Sequence, residues 1–429
     1  MLILEEQTVL PFYIENATGV FMRKSLLCIA VLLAFAPSAQ AQTATEALRT
    51  TWLSACSSGP IKPELAARCN EIFGAGSTPI ASRELQSAQG NNLETLSSMG
   101  RMMMAMVKMR GKQALAIAKN QNDSQWQSNL YLNNATEDSG ILASGQNWSM
   151  IGSTGFSQLD RADSDFERGY GQDSHYLLLG ASYRFNDKLS GVLAYQIEKS
   201  NADFNRNTGG LENENKTVSL AMDYWPTANF GLNFSASHGQ LESTLTRRIR
   251  YNFDGVSVDT TADSDSSGSM QAYSLDAGWE TAAGAWTWRY GAGYSLQNST
   301  IDAIFENNPR GLDFGIAEQN IESRQWSGNV QLAKTISSNA GVWQPFASLR
   351  WVHESADDPR LIRARFRAGG DIFRLRFATA EPDRSFGQLS IGINAALIRG
   401  WQGYARYQIL LAHEFMNENQ FEFGFSKEF

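Results

Sequence analysis

Histidine, cysteine and long apolar runs are all scarce in this chain. Four His and three Cys in 429 residues leave little from which to build a metal centre, and no metal or cofactor is expected. Positive charge is in deficit, with a formal net charge of −8 and a pI near 5.2, which argues against nucleic acid as a partner. No stretch reaches the ~20 apolar residues that a spanning helix needs, so a membrane helix is not expected. What the chain has instead is 42% hydrophobic residues, 23 Phe, 11 Trp and 36 Gly, ample material for a large folded unit.

The one strongly apolar run, Leu26 to Ala36, follows Met22, Arg23 and Lys24 and leads to Ala39-Gln40-Ala41. That order of basic, apolar and small residues is a secretory signal with cleavage after Ala41, so the mature chain is expected to start at Gln42. Residues 1–21 precede a complete signal that has its own Met, and the expectation is a start codon placed too early. Cys28 leaves with the signal. Cys56 and Cys69 then remain as a pair in an exported segment, where a disulfide is expected; their spacing fits no metal motif.

Four regions follow: 1–41, the upstream extension and signal; 42–91, a short Cys-clipped segment; 92–143, a helix and linker; and 144–429, a sheet. Residues 42–90 carry Gly59-Pro60, Pro63, Gly74, Gly76 and Pro79 around a short helix at 63–73, too little for a substantial core. From Asn92 to about Asn120 the apolar positions Leu93, Leu96, Met99, Met103, Met106 and Val107 recur at helical spacing without Pro, and after Glu94 the charges are all basic: Arg101, Lys108, Arg110, Lys112 and Lys119. The Met cluster reads as adaptable packing rather than a metal or cofactor site.

From about residue 144 the period becomes two. Turns and alternation together predict twelve strands, at 144–160, 174–185, 188–200, 214–225, 229–251, 266–281, 285–306, 322–336, 342–354, 384–398, 401–414 and 419–429. Short turns at 186–188, 226–229, 282–285, 337–341 and 399–400 alternate with long polar loops, the asymmetry of bacterial outer-membrane barrels with the short turns periplasmic. Apolar rows bounded by aromatics run along single faces: Trp286, Trp288, Tyr290, Ala292, Tyr294 and Leu296; then Trp343 to Trp351 and Trp401 to Leu411. Such rows are the interfacial girdles of a spanning barrel. In the last strand Phe421, Phe423, Phe425 and Phe429 share the outer face, while Glu422, Ser426 and Glu428 take the other.

These features together resemble the autotransporter β-domain of type V secretion, over about residues 92–429. The resemblance rests on a helical segment immediately before the sheet, twelve strands, the stretch VWQPFASLRWVHE at 342–354 and the terminal Phe429. It implies an all-β, twelve-stranded antiparallel transmembrane barrel preceded by an α-helix that threads the lumen, and an N-terminal passenger carried to the cell surface. It also implies that Phe421, Phe423, Phe425 and Phe429 form an assembly signal for the barrel-assembly machinery. The departure is length: only about fifty mature residues precede the helix, with no β-helical repeat, so a large cargo is not expected.

Several residues are candidates for more specific roles. Arg363, Arg365 and Arg367 alternate, and after a turn at 368–371 Arg374 and Arg376 continue. This reads as a β-hairpin with five Arg on one face and Ile362, Phe366, Phe373, Leu375 and Phe377 on the other. Arg forks suit lipopolysaccharide phosphates or an acidic loop such as Asp259 to Asp265; the bland alternative is a solvated edge hairpin. His353-Glu354 with Asp357-Asp358 is the one cluster that a rim hydrolase would need, and it reads more readily as solvated rim. Neither a GxSxG elbow nor the GDS-type opening of autotransporter esterases occurs. Asn91-Asn92 is similar to the junction at which some autotransporters cut themselves, and also suits a plain helix cap. Inward charges are mixed: Glu198, Asp223, Asp276 and Glu280 against Arg184, Arg289, Arg350 and Arg406. Gly291, Gly293, Gly392 and Ser390 are expected to leave room for a helix. The resulting expectation is a non-enzymatic, monomeric outer-membrane barrel in contact with lipid and lipopolysaccharide, a translocator or anchor for a short N-terminal segment. A small-solute pore and a rim-located hydrolase are the alternatives.

Overall fold

The structure, a computed structural model, describes residues 148–428 apart from 254–255, 357–358, 368–373 and 398–400, and Pro63 by itself. The secretory signal, Cys56, Cys69, Asn91, the helix at 92–120, Asp357, Asp358, Phe373 and Phe429 lie outside the described residues.

Seventeen strands succeed one another: β1 (Trp148–Arg161), β2 (Tyr170–Asn186), β3 (Leu189–Phe204), β4 (Gly209–Thr227), β5 (Phe230–Phe253), β6 (Val256–Ala283), β7 (Trp286–Ile301), β8 (Ile304–Phe305), β9 (Phe314–Ile316), β10 (Gln319–Lys334), β11 (Ile336–Ser338), β12 (Gly341–Glu354), β13 (Leu361–Phe366), β14 (Arg374–Ala378), β15 (Ser385–Leu397), β16 (Trp401–Leu411) and β17 (Met416–Glu428). Twelve of them make one ring. β1 to β7 pair in sequence, β7 pairs with β10, and β10, β12, β15, β16 and β17 complete the circuit. β17 then returns to β1 in continuous register from Ser149–Glu428 to Arg161–Met416. All twelve correspond to the expected spans. Closure leaves no unpaired strand edge, which is the condition for a sheet to cross a bilayer.

Alternation decides which face meets lipid. In β17, Phe421, Phe423 and Phe425 are exposed while Glu422 between them is 1% exposed. In β7, Trp286, Trp288 and Tyr290 are likewise exposed and Thr287 is buried. Eight residues separate Trp286 from Tyr294 and Trp343 from Trp351, roughly 26 Å along a strand at ~3.3 Å per residue. A ~40° tilt reduces that to about 20 Å across the bilayer, close to the apolar band of such barrels. Lys427, the one polar residue in the terminal row, sets its ammonium 5.7 Å from the Trp401 ring at the belt's edge.

One end of the ring is closed by tight turns, such as 187–188, 228–229 and 284–285. In the fourth, β11 folds back onto the start of β12 through Gly341, whose φ of 139° only glycine adopts readily. The other end differs from expectation. Two stretches expected as loops, 201–213 and 252–265, are mostly strand: β3 runs to Phe204, β4 restarts at Gly209, and only residues 254–255 separate β5 from β6. Their outward Thr, Arg and Asp side chains pair across strands, Thr244 with Asp265 and Thr246 with Asp263 at 2.9 Å, which sustains the ladder beyond the lipid. Their inward face carries buried Leu241, Leu245, Ile249, Val258 and Ala262.

The protruding wall also curls. After β7, Asn307 bridges back to Asp263 of β6, so the segment holding β8 stays on the wall. β9 pairs with β8, β13 with β9 and β14 with β13. Ile304, Phe314, Ile316, Ile362, Phe366, Leu375 and Phe377 form the inner face of this curl, each 3% exposed or less. Two loops far apart in sequence thus close a second, apolar core above the membrane belt.

Candidate functional site

The lumen wall is polar, and it pairs some of its own charges. Arg406 of β16 pairs with Glu422 of β17, and Arg289 of β7 with Glu280 of β6 at 2.6 Å. Asn233 donates to Asp223 at 2.6 Å, Gln196 to Glu198 at 3.1 Å, and Arg350 to the Ser327 hydroxyl at 3.0 Å. Of the four-against-four tally of inward charges, Arg289 and Glu280 pair with each other and Arg406 takes Glu422, whereas Glu198, Asp223 and Arg350 bond neutral side chains.

The seam between β1 and β17 lies under a continuous polar network. Glu422 Oε1 accepts a hydrogen bond from Tyr404 Oη at 2.6 Å, Tyr404 Oη reaches Ser153 Oγ at 3.1 Å, and Ser153 Oγ lies 3.4 Å from Tyr176 Oη. Four strands, β16, β17, β1 and β2, are joined through it. Satisfied networks of this kind specify one register, which matters most at the pair of strands that closes a ring.

Inward glycines turn out to work differently from expectation. A Cβ on Gly424 would strike the Tyr404 ring, and one on Gly155 the Tyr176 ring at 2.5 Å. Asp276 lies across Gly293 in the same way, and Phe346 across Gly392, where a Cβ would meet Cζ at 2.6 Å. In each case the two residues are cross-strand partners. The glycines are not vacancies; each lets a bulky neighbour lie flat along the wall. The lumen gains room because those side chains fold down instead of projecting across it.

At the rim, the curl is held to the wall by a buried ion pair. Arg247 of β5 meets Glu306 through two hydrogen bonds of 2.8 and 2.7 Å, donates to the Leu312 carbonyl at 3.0 Å, and stacks 4.9 Å over the Phe314 ring. Glu306 in turn accepts from Phe314 N–H at 2.8 Å. Sequence reading missed this pair because Arg247 sits in a cluster of three arginines with Arg248 and Arg250, and only its inward face distinguishes it. In the connection between β1 and β2, burial alone would raise the Asp163 carboxyl. Hydrogen bonds from Gly169 N–H and Asn205 together with the Arg168 charge outweigh that and hold it below its ordinary 3.8.

The two described residues of the candidate rim cluster fall on opposite faces of β12. His353 is exposed on the outer face and its Nδ1 lies 2.9 Å from Ser385 Oγ. Glu354, its neighbour in an alternating strand, points inward, is 1% exposed, and is bound by Ser323, Gln325 and the Arg324 N–H. Among the described residues no group of three or more His, Cys, Asp or Glu is placed to hold a metal ion.

The arginine hairpin forms as read. Arg363 stands opposite Arg376 and Arg365 opposite Arg374, all exposed, over buried Ile362, Ala364, Phe366, Leu375 and Phe377. The acidic stretch suggested as its partner, Asp259 to Asp265, lies on β6 and not in a loop, and there Asp259 is bound by Arg248 at 2.6 Å, which lowers the Asp259 carboxyl and raises the guanidinium.

A closed antiparallel ring of twelve strands with a polar lumen is the architecture on which comparison with known proteins turns. The family model described as the autotransporter beta-domain matches residues 150–408, more than half of the chain. The translocator domain of the autotransporter NalP from Neisseria meningitidis is similar in structure, with a TM-score of 0.53 at 13% identity over 73% of this chain and 99% of that one. The beta domain of the Bordetella autotransporter BrkA aligns at 18% identity over 66% of this chain and 100% of that one, with a TM-score of 0.46. No curated protein sequence matches the chain. By the family match and the ring just described, this chain belongs to the autotransporter β-domain family, and its barrel is an outer-membrane translocator and anchor.

Proposed function

We propose that this barrel sits in the outer membrane of a Gram-negative bacterium and carries to the surface only the short segment 42–91, which then stays tethered. In this reading a secretory signal ending at Ala41 delivers the chain to the periplasm, and Cys56 and Cys69 join in a disulfide. The barrel-assembly machinery inserts the β-sheet through the row Phe421, Phe423, Phe425 and Phe429, and the barrel works as a monomer. The stretch 92–120 lies as a helix along the lumen, its Met99, Met103 and Met106 giving an adaptable surface.

The observation that carries the reading is the lumen itself. A twelve-stranded ring is about wide enough for one helix, and here Tyr176, Tyr404, Phe346 and Asp276 are laid flat against glycines while Arg289 and Arg406 are paired on the wall. Such a wall suits passage of a chain, because its large side chains lie along it and two of its arginines are already paired with carboxylates. The reading assigns no catalytic activity to the barrel; His353 and Glu354, on opposite faces, support that.

Deleting residues 93–120 tests it in planar bilayers. The shortened barrel should fold and conduct ions far better than the full chain. Equal conductance would mean that the helix does not fill the lumen, and the small-solute pore would replace this reading. Protease shaving of intact cells, with a tag beside Gln42, then locates the segment: loss of the tag places it outside, and full protection removes the export claim.

A further inference from the structure

The face of the curl that carries the arginines lies opposite its apolar core. Its direction follows from register. Ile304 and Glu306 point to the inner side, where Glu306 meets Arg247, so Phe305 between them, 52% exposed, points outward. Phe305 pairs with Gly315 and Gly315 with Arg365. Arg365 pairs with Arg374 and Arg363 with Arg376. All four guanidinium groups therefore stand on the outer, convex side of the wall, beside exposed Leu361 and Phe305, and away from the lumen.

Four cations share an area about 5 Å by 7 Å, the spacing of opposed residues and of i, i+2 neighbours in a sheet. Like charges placed directly opposite one another destabilise a strand pair, and an anion lying across them relieves that repulsion. Arg367, the fifth in the row, is drawn aside to Asp313 at 3.5 Å and stacks 6.0 Å from Phe305. The other four form a cationic plate. Guanidinium forks on a rigid sheet bind phosphate bidentately, and a row of them suits a ligand with several phosphates at sub-nanometre spacing. The plate's place narrows the source. Ala317, whose N–H bonds the Arg363 carbonyl, lies nine residues along the chain from the belt residue Trp326, up to roughly 30 Å of extended strand. The plate thus stands above the acyl chains, at the depth of headgroup sugars.

We propose that Arg363, Arg365, Arg374 and Arg376 dock the phosphorylated core saccharide of lipopolysaccharide in the surrounding outer leaflet. The proposal depends on the outer-membrane placement but not on export of segment 42–91, so either can fail without the other.

The test uses the full chain refolded in detergent micelles. Its affinity is measured for rough-type lipopolysaccharide, for the same material dephosphorylated with hydrofluoric acid, and for heparin as a soluble polyanion. The quadruple variant Arg363→Gln, Arg365→Gln, Arg374→Gln, Arg376→Gln should keep its heat-modifiable gel shift, since β13 and β14 lie outside the twelve-stranded ring. It should bind lipopolysaccharide at least tenfold more weakly than the native chain, and dephosphorylation should abolish that difference. The matching Arg→Lys variant, which keeps the charge but loses the fork, should fall between them, and it serves alone if the Gln variant does not fold. Equal affinity of native and variant chains, or a difference that survives dephosphorylation, would overturn the proposal. Tighter binding of heparin than of lipopolysaccharide would overturn it in favour of a soluble polyanion.

Discussion

Glu306→Ala is the most informative single change to the outer rim. Glu306 and Arg247 are buried to 0% and 1% side-chain exposure, and their two hydrogen bonds are supplemented by those to Leu312 and Phe314. Removing the carboxylate leaves a guanidinium buried without its counter-charge, which typically costs about 3–5 kcal/mol. None of the ring's own ladder bonds involves Glu306, so the cost falls on the curl. At 1.4 kcal/mol per decade, local opening of residues 302–318 and of the hairpin that pairs with them should become roughly 10²- to 4 × 10³-fold more frequent. The assay is limited proteolysis of the refolded barrel, scored for cuts in 302–318 and 355–384, beside a heat-modifiability gel. The variant should be cut much faster in both loops while the gel shift is unchanged. The paired replacement Arg247→Met with Glu306→Leu should restore resistance, because an apolar pair of similar volume removes both buried charges. Cutting at the native rate in Glu306→Ala would refute the claim that this ion pair holds the curl.

Replacing Phe421, Phe423 and Phe425 together by Ser removes three lipid-facing rings from the closing strand, at about 1.5–3 kcal/mol each; outer-membrane levels of the variant should collapse, and normal levels would count against the orientation of β17. Gly424→Ala forces the Tyr404 ring off the wall and disturbs its 2.6 Å bond to Glu422, so the temperature at which the folded band disappears on a gel should drop by an amount matching about 1–3 kcal/mol. A milder loss is expected for Gly403→Ala, whose Cβ would meet nothing nearer than 3.4 Å. Asp163 has a folded-state pKa below its ordinary 3.8, so its contribution is present above that value and lost as pH falls through the lower folded one. Hydrogen exchange at Gly169 N–H should therefore report unchanged opening from pH 8 to 5 and faster opening only in strong acid.

The twelve ring strands are legible in the sequence because each has one face that must satisfy lipid, and aromatics such as Trp286, Trp343 and Trp401 mark where that face begins. The same logic hides the wall above the membrane. There the outward positions of β6, from Ser257 to Asp265, are Ser, Asp and Thr, polar as any loop, and only the inward Val258 and Ala262 betray a strand. A period-two signal carried by the less conspicuous face is easily taken for loop composition. The hairpin of β13 and β14 is legible from alternation alone, whereas its pairing with β9 is not, since three residues, Phe314 to Ile316, carry no periodicity to read. Local pattern reveals faces; it does not reveal which distant edge a face will meet.

Glycine illustrates the same limit from inside the lumen, and there the consequence is functional. Counting Gly293 and Gly392 as open space treats each residue by itself, but a strand residue is defined by its cross-strand partner. Asp276 and Phe346 occupy those spaces, as Tyr176 and Tyr404 occupy Gly155 and Gly424. Had the same four side chains faced alanine or valine, the added Cβ would have met each of them and pushed it off the wall. A wall that must let a chain pass and yet hold its register at the β1–β17 seam needs large polar groups for the second task and must keep them out of the way for the first. Pairing each with a glycine meets both demands at once, which is why the seam network of Ser153, Tyr176, Tyr404 and Glu422 can be continuous without crossing the lumen.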